Sequence, residues 1–406
     1  MTIAFRAGSV LALLFHTVVS ADVDVLVAVE PSLKKEALSV HGRALEEKLH
    51  QALGYRVSVS HSEDLGDSMR ATRTAEYDVF VGPPQVAASA MAHGYDLLGA
   101  NSPEESFVLV ARKDMASVIN LRGRSAYLPP QDSIYTYVTR GMLNAHGVSF
   151  AELRQIEYRR YPQAGLIAVG LGFSDVTAAR LTEWEAWANE NPDKAASLKV
   201  MATSSPVPGG YSVVVRQTLP AETRAALARW FQEQSESVGL KRVAFQPEAA
   251  LYKMVGELGH FTPTSLPGAE VVDAQQVREL LAKGAVIVDT RSEKEFTTKR
   301  IPQAILASYV EKSLKDVAFD PNVDNFKALH RLDKALPTIF ACNGPECWKS
   351  YKASKAAIAL GFKKVYWFRG GLPAWEAAGY AIAPAPGKMA EANEVPPQQS
   401  ETHAIQ

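Results

Sequence analysis

The chain has 406 residues, of which 47% are hydrophobic and 21% charged, and a formal net charge of -1. That length exceeds one ordinary core and predicts two or three folding units. The balanced charge, with no basic run and no stripe of alternating aromatic and arginine residues, argues against a nucleic-acid partner. Only two cysteines are present, so the fold must rely on its cores rather than on a disulfide framework.

Residues 1–21 have the layout of an export signal: Arg6, a largely apolar run over 10–19, and the small residues Ser20 and Ala21. The run is shorter than the roughly 20 residues of a bilayer span. Cleavage near Ala21 and a periplasmic location are therefore expected. From Asp22 onward, strand and helix patterns alternate. Strands are predicted over 23–29, 55–60, 77–81, 107–111, 124–128, 156–160, 199–202 and 211–216. Helices are predicted over 33–53, 64–75, 133–146, from 163, over 221–237 and over 247–258. Ser133 reads as a helix cap, and the glycines at 54 and 147 as stops. This alternation predicts an α/β architecture with mostly parallel sheets.

The stretch 261–268, with its Pro, Ser, Thr and Gly punctuation, is read as a linker between a module over 22–260 and a second α/β unit over 269–380. The Pro-, Ala-, Glu- and Gln-rich residues 381–406 are expected to be disordered.

In the first module, helix starts after Pro31, after Pro83 and at Ser133 would aim amides at one anion. They lie beyond strand ends, where open α/β sheets bind ligands. Ser133 is equally well explained as a plain cap. The strand ending at Glu30 and Pro31, the Tyr77–Pro83 run, the helix start from Asp132 to Tyr137 and the run 168–175 together resemble the periplasmic substrate-binding proteins of phosphate- and phosphonate-type ABC importers. The resemblance implies a type II two-lobed fold, with the second lobe over about 115–203, closing over a small anion. A membrane permease would be the partner. The cleft residues it implies are Pro31, Gly82, Pro83, Ser133, Tyr135, Thr136 and Asp175. Asp175 would meet a ligand amine, or it is a solvated turn aspartate. Ile134 and Tyr135 replace hydroxyl residues usual in that family, and Tyr161, Pro162 and Gln163 stand where it has a histidine.

The second unit carries the sharpest motif. Cys342 follows the apolar run 336–341 and leads through Asn343, Gly344, Pro345 and Glu346 to Cys347, Trp348, Lys349 and Ser350, where a helix begins. A thiolate there lies among loop amides and at the positive end of a helix dipole. With Asp289 and Arg291, the 299–304 segment, Gly361 with Phe362, and the Gly370–Gly371 pair, this order resembles the rhodanese domain, a small α/β domain with a central parallel sheet. The resemblance implies that Cys342 carries sulfane sulfur as a persulfide and that Lys349 and Ser350 support it. Asp289 and Arg291 would be structural, and Gly370 and Gly371 would form a turn needing positive φ.

Asn343, Gly344, Glu346 and Trp348 would form the anion cradle, with Pro345 lacking an N–H. The loop is about two residues longer than usual in that family, a feature of relatives that bind phosphate or arsenate, and Glu346 would oppose an anionic donor. Cys347 would form a disulfide with Cys342 or resolve its intermediate.

The expected function is sulfur transfer from a small sulfur or oxyanion substrate to a thiol acceptor, coupled to an anion-binding module. No cofactor or metal is expected. A sensory solute-binding protein with a redox-locked loop, or an oxyanion reductase or phosphatase, is the alternative.

Overall fold

The computed structural model describes residues 22–32 and 42–384. The expected export signal, the opening of the helix expected from residue 33 and the tail beyond 384 lie outside the described residues.

The first lobe is built on the strand Val23–Ala28, almost wholly buried, as a strand covered on both faces must be. It pairs in parallel with Val57–Ser62 and with Val79–Gly82. Val207–Arg216 and Tyr95–Glu105 complete that sheet in antiparallel fashion. In the second lobe Ser125–Leu128 lies parallel to Gln155–Tyr158 and Val176–Arg180, while Phe107–Arg112 runs antiparallel between Val176–Arg180 and Leu198–Thr203.

The chain thus passes between the lobes twice, from Glu105 to Phe107 and from Thr203 to Val207. Each lobe takes in the crossing segments antiparallel, so both sheets are mixed rather than mostly parallel. The second lobe opens with Phe107, ahead of the expected residue 115. A single apolar cluster, with Leu26, Phe80 and Val214 from one lobe and Phe107, Leu128 and Tyr135 from the other, spans the pair.

The last unit has an all-parallel sheet in the order Glu270–Val271, Val365–Phe368, Thr338–Ala341, Val286–Asp289, Ile305–Leu306. Alternation along its strands sends Ile287 and Ile339 into one core and Val288 and Phe340 into the other. The segment 261–268 is no free tether. Leu266 packs with Trp348, Tyr351 and Trp367, and Thr262 donates to the carbonyl of Pro345 from both its amide (2.8 Å) and its hydroxyl (2.7 Å). At the other end, Ala383–Pro384 pairs with Lys299–Arg300. No helix among the described residues is long and apolar enough to cross a membrane.

His260 sits where the modules join. Its carbonyl accepts the Trp348 indole N–H, and its buried ring meets Arg140 and the Gln131 carbonyl. Burial first, then the charges of Arg140 and Lys315, hold this imidazole well below its ordinary value of 6.5. Such a group costs stability where the unfolded chain binds a proton and the folded one does not. Its contribution is therefore full above 6.5 and is lost as pH falls through that value. Acidification to about pH 5.5 is expected to speed proteolytic cutting in 261–268, and His260→Gln to flatten that pH profile. An unchanged profile in the variant would remove His260 as the cause.

Candidate functional site

Cys342 follows the buried strand Thr338–Ala341, and Cys347 caps the helix Trp348–Ala359. The two are joined by a disulfide, with Cα atoms 6.2 Å apart. The loop between them turns on Gly344, at φ +97, and Cys347 N–H donates to the Gly344 carbonyl at 3.0 Å. Gly371, at φ +57, lies directly beneath. A Cβ there would strike the Cys342 carbonyl, and Leu372 N–H donates to that same oxygen at 2.9 Å. Gly371 therefore seats the loop at positive φ, whereas Gly370, at φ -66, is an ordinary helical residue and does not need the conformation expected of the pair. The amides of Asn343, Gly344 and Glu346 have no acceptor among the described residues, so the loop that follows Cys342 carries free main-chain donors.

The side chains of the loop are tied outward. Asn343 donates to Glu295. Burial opposes ionisation of Glu295, but Arg70 and the hydrogen bonds from Ser292 and Asn343 outweigh it and hold the carboxyl below its ordinary range. Glu346 pairs with Arg73 at 2.7 Å. Arg70 and Arg73 belong to the helix Leu65–Arg73 of the first lobe. The acidic residue that sequence reasoning set against an anionic donor is therefore matched by an arginine from the other module.

Trp348 is buried, its indole bonded across the junction to His260. Lys349 lies over the Tyr309 ring at 5.4 Å, and burial lowers its ammonium from the usual lysine range. Ser350 does not face Cys342; its buried Oγ accepts from the Trp367 indole at 3.1 Å. Its role is to anchor the helix in the core. Asp289 and Arg291 form a buried bidentate pair, with Arg291 also bonded to the Lys299 carbonyl. A cleft of about 760 Å³ opens between the modules, with Cys347, Lys349, Glu346, Arg70 and Arg73 in its walls. Cys342, 2% exposed against 8% for Cys347, stands behind it.

Between the two lobes, the site differs from the expected one. Ser133 caps the helix Ile134–Ala145, accepting from Tyr135 N–H at 3.3 Å and lying 3.2 Å from the Ser32 hydroxyl. The anion facing this helix start is the protein's own Glu30, 1% exposed. Its carboxylate accepts from Ile134 N–H (3.2 Å), Gln85 Nε2 (3.2 Å) and the Ser32 hydroxyl (2.5 Å). Gly82 is packed against Ala28 and Val86, and Pro83 caps the helix Pro84–Met91 that carries Gln85. Pro31 is half-buried beside Glu30.

Tyr135 donates to Glu183 at 2.8 Å and meets Arg180, which pairs with Glu105 at 2.6 Å. Thr136 turns back to the Pro129 carbonyl at 2.9 Å. Asp175 stands at the far end of its sheet, before the strand Val176–Arg180, and accepts from Ser125 N–H (2.9 Å) and Oγ (2.8 Å). Asp175 does not reach the cleft, because the C-terminal strand ends face it and Asp175 precedes its strand, while the Thr136 hydroxyl is taken up by the Pro129 carbonyl.

Sequence reasoning missed Glu30 as a site residue, together with Arg180, Arg70 and Arg73. A lone acid closing an apolar strand was the available signal for Glu30. The arginines sit on surfaces that only the folded arrangement turns inward. Among the described residues no group of three or more metal-ligating side chains converges.

Two lobes crossed twice by the chain, with an acid and a helix start between them, define a two-lobed ligand-binding module, and the parallel sheet ending in a cysteine loop defines a second functional unit. The model for the periplasmic substrate-binding protein of phosphonate ABC transporters matches residues 27–253, and the chain belongs to that family. Residues 273–378 match the rhodanese-like domain. The chain is therefore a fusion of the two.

No curated protein matches the chain. Among solved structures, PhnD1 from Prochlorococcus marinus in complex with methylphosphonate is 16% identical, with 59% of this chain and 97% of that chain covered and a TM-score of 0.45. A binding protein component of an ABC phosphonate transporter from Pseudomonas aeruginosa is 17% identical, covering 59% and 85%, at a TM-score of 0.43. The periplasmic aliphatic sulphonate binding protein SsuA from Escherichia coli is 12% identical, covering 54% and 72%, at 0.36.

Proposed function

We propose that this is an exported, periplasmic sulfur-handling protein in which Cys342, once its disulfide with Cys347 is reduced, takes up sulfane sulfur. The Cys342 thiolate attacks the outer sulfur of a donor such as thiosulfate, the S–S bond of the donor breaks, and sulfite leaves with its electron pair. The resulting persulfide anion rests among the free loop amides. A thiol acceptor then removes the sulfur, or the Cys347 thiolate attacks the Cys342 sulfur, expelling hydrosulfide and restoring the disulfide. The single observation that carries this reading is the pairing of Cys342 with Cys347 at the head of a helix, facing a cleft. The binding module would supply or sense a small ligand, and an ABC-type permease would be its membrane partner.

The test is mass measurement on protein reduced, freed of reductant and incubated with thiosulfate. One sulfur is expected on Cys342 in Cys347→Ser, where it cannot be expelled, and none in Cys342→Ser. No added sulfur in Cys347→Ser would sink sulfur uptake. The disulfide itself favours a second reading, a solute-binding or sensory protein whose rhodanese loop is locked, and that result would select it.

A further inference from the structure

The charges in the walls of the inter-module cleft largely pair with one another. Arg73 meets Glu346 at 2.7 Å, Lys315 meets Asp132 at 2.7 Å, and Arg70 meets Glu295 at 3.3 Å. Lys327, Lys349, Asp64 and Glu293, also in the walls, make no ion pair among the described residues. Buried Arg73 Nε lacks a hydrogen-bond acceptor among the described residues. A simple anion would gain from the cations but face Glu293, Glu295 and Glu346. A simple amine would face the reverse. A molecule bearing both a carboxylate and an ammonium group answers both sets, and about 760 Å³ falls within the usual range of roughly 300–1,000 Å³ for small-molecule sites. The reactive group in the wall is the Cys347 half of the disulfide, with Cys342 behind it.

We propose that this cleft binds a small zwitterionic thiol, of the class of cysteine-containing peptides, which opens the disulfide by attack at Cys347. The thiolate forms a bond to Cys347 Sγ, the bond from Cys347 to Cys342 breaks, and Cys342 leaves as a thiolate with the electron pair. A second thiol molecule displaces the first from Cys347, giving its own disulfide and a free Cys347 thiolate. Two thiols are oxidised and one protein disulfide is reduced. The direction of attack follows from access, since Cys347 lies in the cleft wall and Cys342 behind it. Arg73 and Lys349 would hold the carboxylate and Glu293 the ammonium, so one module supplies part of the site that serves the other. The inference rests on the sulfur-uptake reading only in its purpose, because it explains how the acceptor Cys342 is regenerated.

The probes are reduced glutathione and 2-mercaptoethanol, compared at equal thiolate concentration on the oxidised full-length protein. Reduction by glutathione is expected to saturate with concentration, and the quenched intermediate to carry glutathione on Cys347. Loss of one charge-assisted contact in Arg73→Ala or Lys349→Ala is expected to lower the glutathione-to-mercaptoethanol rate ratio about tenfold. Arg73→Lys, which keeps the charge, is expected to recover part of it. Using a ratio within each variant separates binding from any loosening of the loop. A linear dependence on glutathione with a ratio near one, or an adduct on Cys342, would overturn the proposal. Thiosulfate plays no part in this measurement, so its outcome is independent of whether sulfur is taken up.

Discussion

Glu30→Gln is expected to raise the affinity of the two-lobed module for a small oxyanion by on the order of a thousandfold. The wild-type carboxylate occupies the place such a ligand would take, accepting from Ile134 N–H, Gln85 and Ser32. An oxyanion bound about 4 Å from that charge would be opposed by about 4 kcal/mol at an effective dielectric of about 20. Glutamine keeps the shape and an acceptor oxygen while removing the charge. Titration calorimetry with methylphosphonate, phosphate and sulfate on both proteins makes the comparison. Equal, weak binding in the two would mean that Glu30 is not what excludes the anion, and tight binding by the wild type would mean that Glu30 swings away. Glu30 also distinguishes this chain's cleft from the one sequence reasoning expected. Of the expected helix starts, that of Ile134–Ala145 meets this internal anion through Ile134 N–H, Pro84–Met91 contributes the Gln85 side chain, and the one after Pro31 lies outside the described residues.

Much of the architecture was legible because its signals are local. The apolar strands 23–28, 79–82, 286–289 and 338–341, the Ser133 cap and the ordered motifs of the last unit are each decided within a few residues. What escaped depends on partners far along the chain. Tyr95–Glu105 contains Gly99, Asn101, Ser102 and Pro103 and reads as a loop, yet pairing with Val207–Arg216, with register shifts, makes it a strand. Val176–Arg180 was hidden behind the more obvious helix pattern preceding it, and is held between Ser125–Leu128 and Phe107–Arg112. In the site, Cys342 and Cys347 were visible as a pair because so few residue types do their chemistry. Ser350 was carried over by its place in a motif, and only the side-chain direction reveals that it serves Trp367 instead. Arg70 and Arg73 lie far from the cysteine loop in sequence, so no spacing rule would join them to it.

Asp289→Ala is expected to destabilise the rhodanese unit by roughly 3–5 kcal/mol, because it strands the Arg291 guanidinium in a site where it is 1% exposed. For a unit of this size that corresponds to a fall in its melting temperature of roughly 15 °C or more. Replacing both partners, as in Asp289→Leu with Arg291→Met, is expected to recover much of the loss, since no buried charge is then left unpaired. Calorimetry is informative because of how the cores are divided. The apolar clusters of the last unit hold no residue of the two lobes, whereas one cluster spans both lobes. What joins the modules is polar: Arg73 to Glu346, Lys315 to Asp132, and the hydrogen bonds around His260 and Thr262. Contacts of this kind hold orientation without merging the folding transitions. Two transitions are therefore expected, of which Asp289→Ala lowers only that of the rhodanese unit. A single transition that moves as a whole would mean that the modules fold as one, and that the cleft between them is as rigid as a core.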